Sequence, residues 1–346
     1  MRWYYWGILG VPVSIAGRVM GLDILTFVAA IVAIIPLAGI IGRATEDLAI
    51  HTGPRVGGLL NATFGNVTEL VIATFLIIAG ESEIVKLSIT GSIIGNSLLV
   101  LGAALFLGGI KHREQEFNSK VAGMHSASLV LAVTGLMMPA LFHQAAPRAG
   151  FGKEEAVSIG VASILMILYV SSLIFSFKTN QEVSIAHAPH GEKAEWSKKF
   201  GVLVLVGATV LVALESEVLV HSLEGATERL HLSKLWVGLI LVPIVGNAAE
   251  HSSAIFLAMK NKMDTAIEIA VGSSTQIALF IAPLLIFISL IAGKPMNFFF
   301  SGFEIAAVGF STAIVALISL DGRSNWLEGA QLLAAYLIMG ISFYFL

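Results

Sequence analysis

"GNVTELVIA", residues 65–73, lies in a run from Val56 to Gly80 whose single charged residue is Glu69. "GNAAEHSSAI", residues 246–255, repeats the pattern with Glu250. In both, an acid follows a Gly-Asn pair at the same spacing, inside sequence suited to lipid. The chain around them has 346 residues, 56% hydrophobic and 12% charged, with a mean hydropathy of +0.88. Soluble domains carry about 25% charged residues, so the composition is that of an all-α integral membrane protein. It contains no cysteine, which excludes disulfides and thiolate metal sites.

A helix needs about 20 apolar residues to cross the hydrocarbon core. Ten spans are predicted, near 22–42, 56–80, 84–110, 120–142, 155–177, 200–220, 235–259, 264–292, 298–319 and 326–345. Residues 1–21 form a further membrane-associated segment. Its Trp and Tyr cluster suits an interface, and Pro12 and glycines interrupt it. The polar stretch 178–199 divides the chain into 22–177 and 200–346, with five spans each. Twelve of the 20 Lys and Arg residues fall in loops on the 178–199 side and eight on the other. Positive charge favours the cytoplasm, so this loop is expected there, in a multi-pass protein of the cell membrane.

The halves are related. "ATEDL" at 44–48 returns as "ATERL" at 226–230, and Gly57, Gly65, Asn66 and Glu69 return as Gly238, Gly246, Asn247 and Glu250. "SIIGNSLLV" at 92–100 can be laid on "GSSTQIALF" at 272–280, which sets Asn96 opposite Gln276. His125 then falls opposite Glu304. Five spans per half is odd, so the second half enters the membrane with the opposite orientation. Such inverted repeats build many secondary transporters, whose ion sites lie near the midplane where the repeats meet.

A carboxylate at mid-membrane costs a few kcal/mol or more and calls for a reason. Asn66 and Glu69 share a helix face, as do Asn247 and Glu250. Gly65 and Gly246 permit a bend or a close approach that frees backbone carbonyls. With Asn96 and Gln276 the inventory is two carboxylates among neutral oxygens, which suits a hard divalent ion such as Ca²⁺. An apolar setting favours the neutral form of an acid once the ion leaves, so one pair can carry Ca²⁺ one way and protons the other. The bland alternatives are a structural hydrogen bond for a lone Glu and simple helix ties for Asn96 and Gln276. His251 either orients Glu250 or takes protons itself. Glu217, His125 and Glu304 are candidates for an access or proton path. Glu46 and Glu228 read as solvated mouths. Glu182, His187, His190, Glu192 and Glu195 offer metal ligands, though a mixed-charge loop is usually solvated.

The motifs "GLLNATFGNVTELVIA" and "PIVGNAAEHSSAI", preceded by "IIPLAGIIGRATE" and "SEVLVHSLEGATERL", resemble the Ca²⁺/H⁺ exchanger (CAX) branch of the Ca²⁺/cation antiporter superfamily. The resemblance spans the chain beyond its first twenty residues. It implies an inverted-repeat exchanger working by alternating access, with no cofactor and with Ca²⁺ and H⁺ as substrates. It gives Glu69 and Glu250 the central ion and proton roles, supported by Asn66, Asn247 and His251. Val67 stands where alanine is common, and the midpoint loop lacks the markedly acidic stretch of many members. Na⁺-coupled branches carry Pro-Glu in these motifs. Thr68 and Ala249 stand here instead, which argues for protons. Family members can form oligomers. The competing readings are a Na⁺-coupled or Mn²⁺-transporting exchanger of the same fold, a divalent cation channel with an acidic selectivity site, and an intramembrane hydrolase. "AEHSSA" lacks the H-E-x-x-H zinc spacing. Nothing points to nucleic acid.

Overall fold

The computed structural model describes residues 7–145, 151–179 and 194–345. In chain order the elements are α1 (Gly10–Met20), α2 (Asp23–Phe64), α3 (Val67–Ala79), α4 (Ser82–His112), β1 (Glu114–Glu116), α5 (Ser119–Ala145) and α6 (Phe151–Thr179). The second half continues with α7 (Lys198–Leu230), α8 (Lys234–Gly246), α9 (Ala248–Met259), α10 (Met263–Ile291), α11 (Gly302–Ile318), β2 (Arg323–Asn325) and α12 (Trp326–Tyr344). Seven of the described helices are long and apolar enough to cross a membrane, and α8 with α9, bent by 62° at their junction, makes an eighth. Length and composition alone therefore do not give the ten spans expected. The 56–80 run is divided between the end of α2 and the 13-residue α3, and α11 has 17 residues. The N-terminal segment resolves into an 11-residue α1. At about 1.5 Å per residue it is too short for a core about 30 Å thick.

Helix α1 packs on α2 and α7. Gly10 and Gly17 allow this: a β-carbon there would sit 2.6 Å from the Ala29 carbonyl oxygen and 2.7 Å from Thr26 Oγ1. The centre of the bundle is α4 and α10, the two most deeply packed spans, whereas α6 and α12 turn mostly outward to lipid.

Side-chain ties define two faces. On one, which carries the end of the midpoint loop, the Asp47 carboxylate accepts from the Glu195 and Trp196 amides and His51 Nε2 donates to the Trp196 carbonyl. On the same face His112 Nε2 donates to the Met259 carbonyl, the Asn118 amide donates to Asp264, and β1 pairs antiparallel with β2. On the far face Lys234 donates to both oxygens of Glu81, at 2.9 and 2.8 Å. The inversion follows from these faces. The first broken pair runs from Gly53 at the loop face to Gly80 at the far face, and the second runs from Lys234 at the far face to Met259 at the loop face. Glu195 forms an ion pair with Arg43, while Glu182, His187, His190 and Glu192 lie outside the described residues.

Candidate ion-binding site

Each Gly-Asn pair marks a helix break. Asn66 (φ −101°, ψ 18°) ends the run through α2, and Asn247 (φ −102°, ψ 7°) ends α8. Helices α3 and α9 start immediately afterwards, so Glu69 and Glu250 both fall in a first turn. Unpaired amides at a helix start favour negative charge. The break thus does two things: it frees backbone groups at mid-membrane and sets an acid at the positive end of a half-helix, the arrangement of transporter ion sites.

The glycines have a reciprocal purpose. A β-carbon on Gly246 would lie 2.6 Å from Glu69 Cγ, and one on Gly65 would lie 3.2 Å from Glu250 Oε1. Each repeat's glycine is therefore the floor on which the other repeat's glutamate lies. Side chains larger than hydrogen would push the acids out.

The Glu69 carboxylate accepts from the Ser92 hydroxyl and from Asn247 Nδ2. Glu250 Oε2 lies 2.6 Å from the Ser273 hydroxyl, whose other acceptor is Asn66 Oδ1 at 2.9 Å. Asn66 Nδ2 donates to Gln276 Oε1 at 2.7 Å, and His251 Nε2 donates to Asn96 Oδ1 at 3.0 Å. All seven side chains expected at the centre from the repeat motifs, with Gly65 and Gly246 beneath them, are hydrogen-bonded there in three groups: Glu69 with Asn247 and Ser92, Glu250 with Asn66 and Gln276 through Ser273, and His251 with Asn96. Glu69, Asn66, Asn96 and Asn247 are buried, and Glu69 Oε2 and Asn96 Nδ2 have no hydrogen-bond partner among the described residues. Buried polar groups are nearly always satisfied, so an orphaned carboxylate oxygen beside hydroxyl and amide oxygens is a donor set that fits a cation.

Ser92 and Ser273 went unread in the sequence. Each follows its glutamate by 23 residues, and their equivalence moves the pairing of the following helices by one residue relative to the match of Asn96 with Gln276. The π-helical segments Gly95–Val100 in α4 and Ile277–Ile281 in α10 fall just after these serines in both halves. Such widened turns recur at functional sites.

The other candidates sit elsewhere. Helix α7 turns Glu215 inward, where it accepts from Ser14, whereas Glu217 is half-exposed and pairs with Arg18 at 3.2 Å. Glu304 is buried as the capping-box acid of α11 and also accepts from Thr90. His125 lies on α5 against Gly272 of α10, and its carbonyl accepts from Thr275.

The model of the family described as "Sodium/calcium exchanger protein" matches residues 22–178 and 200–345. A Ca²⁺/H⁺ antiporter of Bacillus subtilis, ChaA, is 45% identical over 97% of this chain and 97% of its own length. A Ca²⁺/H⁺ antiporter of Aphanothece halophytica is 44% identical over 98% of this chain and 95% of its own. The crystal structure of the Ca²⁺/H⁺ antiporter YfkE superposes with a TM-score of 0.87 at 43% identity, covering 100% of both chains. With a match this complete, and with both Gly-Asn-x-x-Glu motifs converging on one buried site, the chain belongs to the sodium/calcium exchanger protein family, on its Ca²⁺/H⁺ exchanger branch.

Proposed function

We propose that this protein is a secondary antiporter that moves Ca²⁺ out of the cytosol in exchange for H⁺, with Glu69 and Glu250 as the shared carriers. The observation that carries the reading is the reciprocal seating of a buried acid, Glu69, and a partly buried one, Glu250, among hydroxyl and amide oxygens, with one oxygen of Glu69 left without a partner among the described residues. Two carboxylates balance one Ca²⁺, and the neutral oxygens supply the high coordination number that ion takes. Two protonated acids are electrically equivalent to that loaded site, so the same pocket can cross between faces in either form. The relatives' names support these substrates and a transport role. The positive-charge bias supports a cytoplasmic 178–199 loop in a cell-membrane protein.

The deciding experiment is Ca²⁺ flux into proteoliposomes with an imposed pH gradient, with and without Na⁺. Flux that follows the pH gradient and ignores Na⁺ is expected. Flux that needs Na⁺, or that runs down the Ca²⁺ gradient with no proton movement, would replace this reading by Na⁺ exchange or by a channel.

Two sets of substitutions check the geometry. Gly246→Ala drives a methyl group into Glu69, and overpacking of this kind costs about 1–3 kcal/mol. Ca²⁺ binding should weaken by about tenfold, while Gly39→Ala, where a β-carbon meets nothing within 4 Å, should leave it unchanged. Equal effects of the two would contradict the seating. Asn96→Ala and Gln276→Ala each remove one neutral oxygen and should raise the Ca²⁺ dissociation constant by a few-fold, about 1 kcal/mol. Unchanged affinity in both would leave these residues as helix ties.

A further inference from the structure

The two repeats differ one helix turn outward from the central acids. The offset that relates Glu69 to Glu250 also pairs Ala73 with Ala254, Phe75 with Phe256 and Leu76 with Leu257. Helices α3 and α9 are thus in register, and a difference between them is a substitution rather than a slip. On α9 the glutamate is followed by His251, Ser252 and Ser253, whereas on α3 it is followed by Leu70, Val71 and Ile72. Residues three apart share a helix face, so Ser253 extends the face of Glu250 and Ile72 extends that of Glu69. The long spans differ in the same sense. Four residues beyond the serines that meet the acids, α4 carries Asn96 and α10 carries Ile277.

These differences fall on opposite sides of the site. Helices α4 and α9 run from it to the loop face, where His112 donates to the Met259 carbonyl. Helices α3 and α10 run to the far face, where Lys294 Nζ lies 3.9 Å from the β-carbon position of Gly80. Toward the loop face, then, the flank is polar. Asn96 Oδ1 accepts from His251 Nε2 at 3.0 Å, and the buried Nδ2 of Asn96 has no partner among the described residues. Ser253 is partly exposed, and a β-carbon on Gly95, beside Asn96, would meet nothing within 4 Å. Toward the far face the flank is apolar. Ile72 and Ile277 are 0% and 1% exposed and belong to the main core, against which Leu70 packs. Gln276, the polar neighbour of Ile277, turns its oxygen back to Asn66 at the helix break.

We propose that Asn96, His251 and Ser253 form a second Ca²⁺-binding position one turn to the loop side of Glu69 and Glu250, without a far-side equivalent, so that the protein captures Ca²⁺ more tightly from the loop face than from the far face. The inference rests on the exchanger reading, because it requires a central site that opens to each face in turn. Ca²⁺ takes six to eight oxygens, and a serine hydroxyl and an asparagine carbonyl replace part of its water shell before the carboxylates complete the exchange. A carbonyl oxygen has two lone pairs. Asn96 can therefore accept from His251, which fixes the orientation of the amide, and still offer an oxygen to the ion. Isoleucines at the matching far-side positions offer no ligand, and an apolar constriction favours loss of water. An ion passing that way trades the carboxylates for bulk water with no intermediate position. The added binding thus belongs to the loop-open form alone, which suits uptake from a dilute cytosol and release to the other side.

The chain has no native cysteine, so a Lys120→Cys parent carries one thiol, at an exposed position on the loop face. A membrane-impermeant biotin reagent then separates proteoliposomes with the loop face outward from those with it inward. Radioactive Ca²⁺ uptake driven by an acidic lumen is measured in both fractions across Ca²⁺ concentrations. The half-saturating concentration should be lower from the loop face by about tenfold, the worth of two neutral ligands. Asn96→Ala combined with Ser253→Ala should raise the loop-face value by about tenfold and the far-face value by no more than about threefold. Ile72→Ser combined with Ile277→Asn should lower the far-face value and shrink the difference between faces. Equal values from the two faces of the parent would overturn the proposal. So would an equal rise from both faces in the Asn96→Ala, Ser253→Ala protein, which would make these residues ligands of the central site only. Absence of pH-driven uptake by the parent in either fraction would remove the exchanger reading, whereas normal uptake with equal values would remove the second position alone.

Discussion

Glu69→Gln and Glu250→Gln are each expected to lower pH-driven Ca²⁺ flux by about a hundredfold or more, on the scale of losing one partner of a buried charge pair, about 3–5 kcal/mol. Glutamine keeps the shape of glutamate and can still accept from Ser92, Ser273 or Asn247, so folding and insertion should survive. What it lacks is a charge to balance Ca²⁺ and a proton to exchange. The two losses should be similar in size, because the site is nearly two-fold: each acid lies on the other repeat's glycine and accepts from the serine 23 residues further on. Near-normal flux in either variant, with normal membrane insertion, would remove that residue from the transport cycle.

The second large effect is on pH dependence. A protonated carboxylic acid is neutral and cannot balance a divalent ion, so protons and Ca²⁺ exclude one another at a shared site. Apparent Ca²⁺ affinity should fall as the medium is acidified, by up to about tenfold per pH unit for each proton displaced. The sign is fixed by the chemistry: acid weakens binding and alkali strengthens it. The curve should move along the concentration axis rather than lose amplitude. Because the acids share one pocket, the midpoint belongs to the pair and not to either residue. Glu250→Gln should make the dependence shallower where binding survives. An affinity independent of pH across the range in which flux changes would mean that protons travel by another route.

Much of this site was legible in the sequence because it is polar. In an apolar chain, residues that repeat at a fixed offset and cost energy to bury stand out, and Asn66, Glu69, Asn247 and Glu250 do so. The break at each Asn was less legible. Residues 56–80 read as one continuous apolar run, and nothing in hydropathy separates a straight span from two half-helices. Gly65 and Gly246 suggested a bend, but their function as floors for the opposite glutamates depends on how the repeats cross. Ser92 and Ser273 gave no usable signal, since serines in membrane helices commonly bond to a carbonyl three or four residues back, as Ser88 and Ser289 do here. The choice between Glu215 and Glu217 failed for a related reason. The two acids are two residues apart on a helix and face different ways, and only the docking of α1 through Ser14 decides which is inside.

The most direct measurement is the number of protons released when Ca²⁺ binds to the purified protein in weakly buffered solution, followed across pH. A shared pair of acids should release between about one and two protons per Ca²⁺ near the midpoint and progressively fewer at alkaline pH, where the site is already ionised. The release should shrink in Glu69→Gln and in Glu250→Gln. Saturable Ca²⁺ binding with no proton release at any pH would contradict the claim that Glu69 and Glu250 carry both ions.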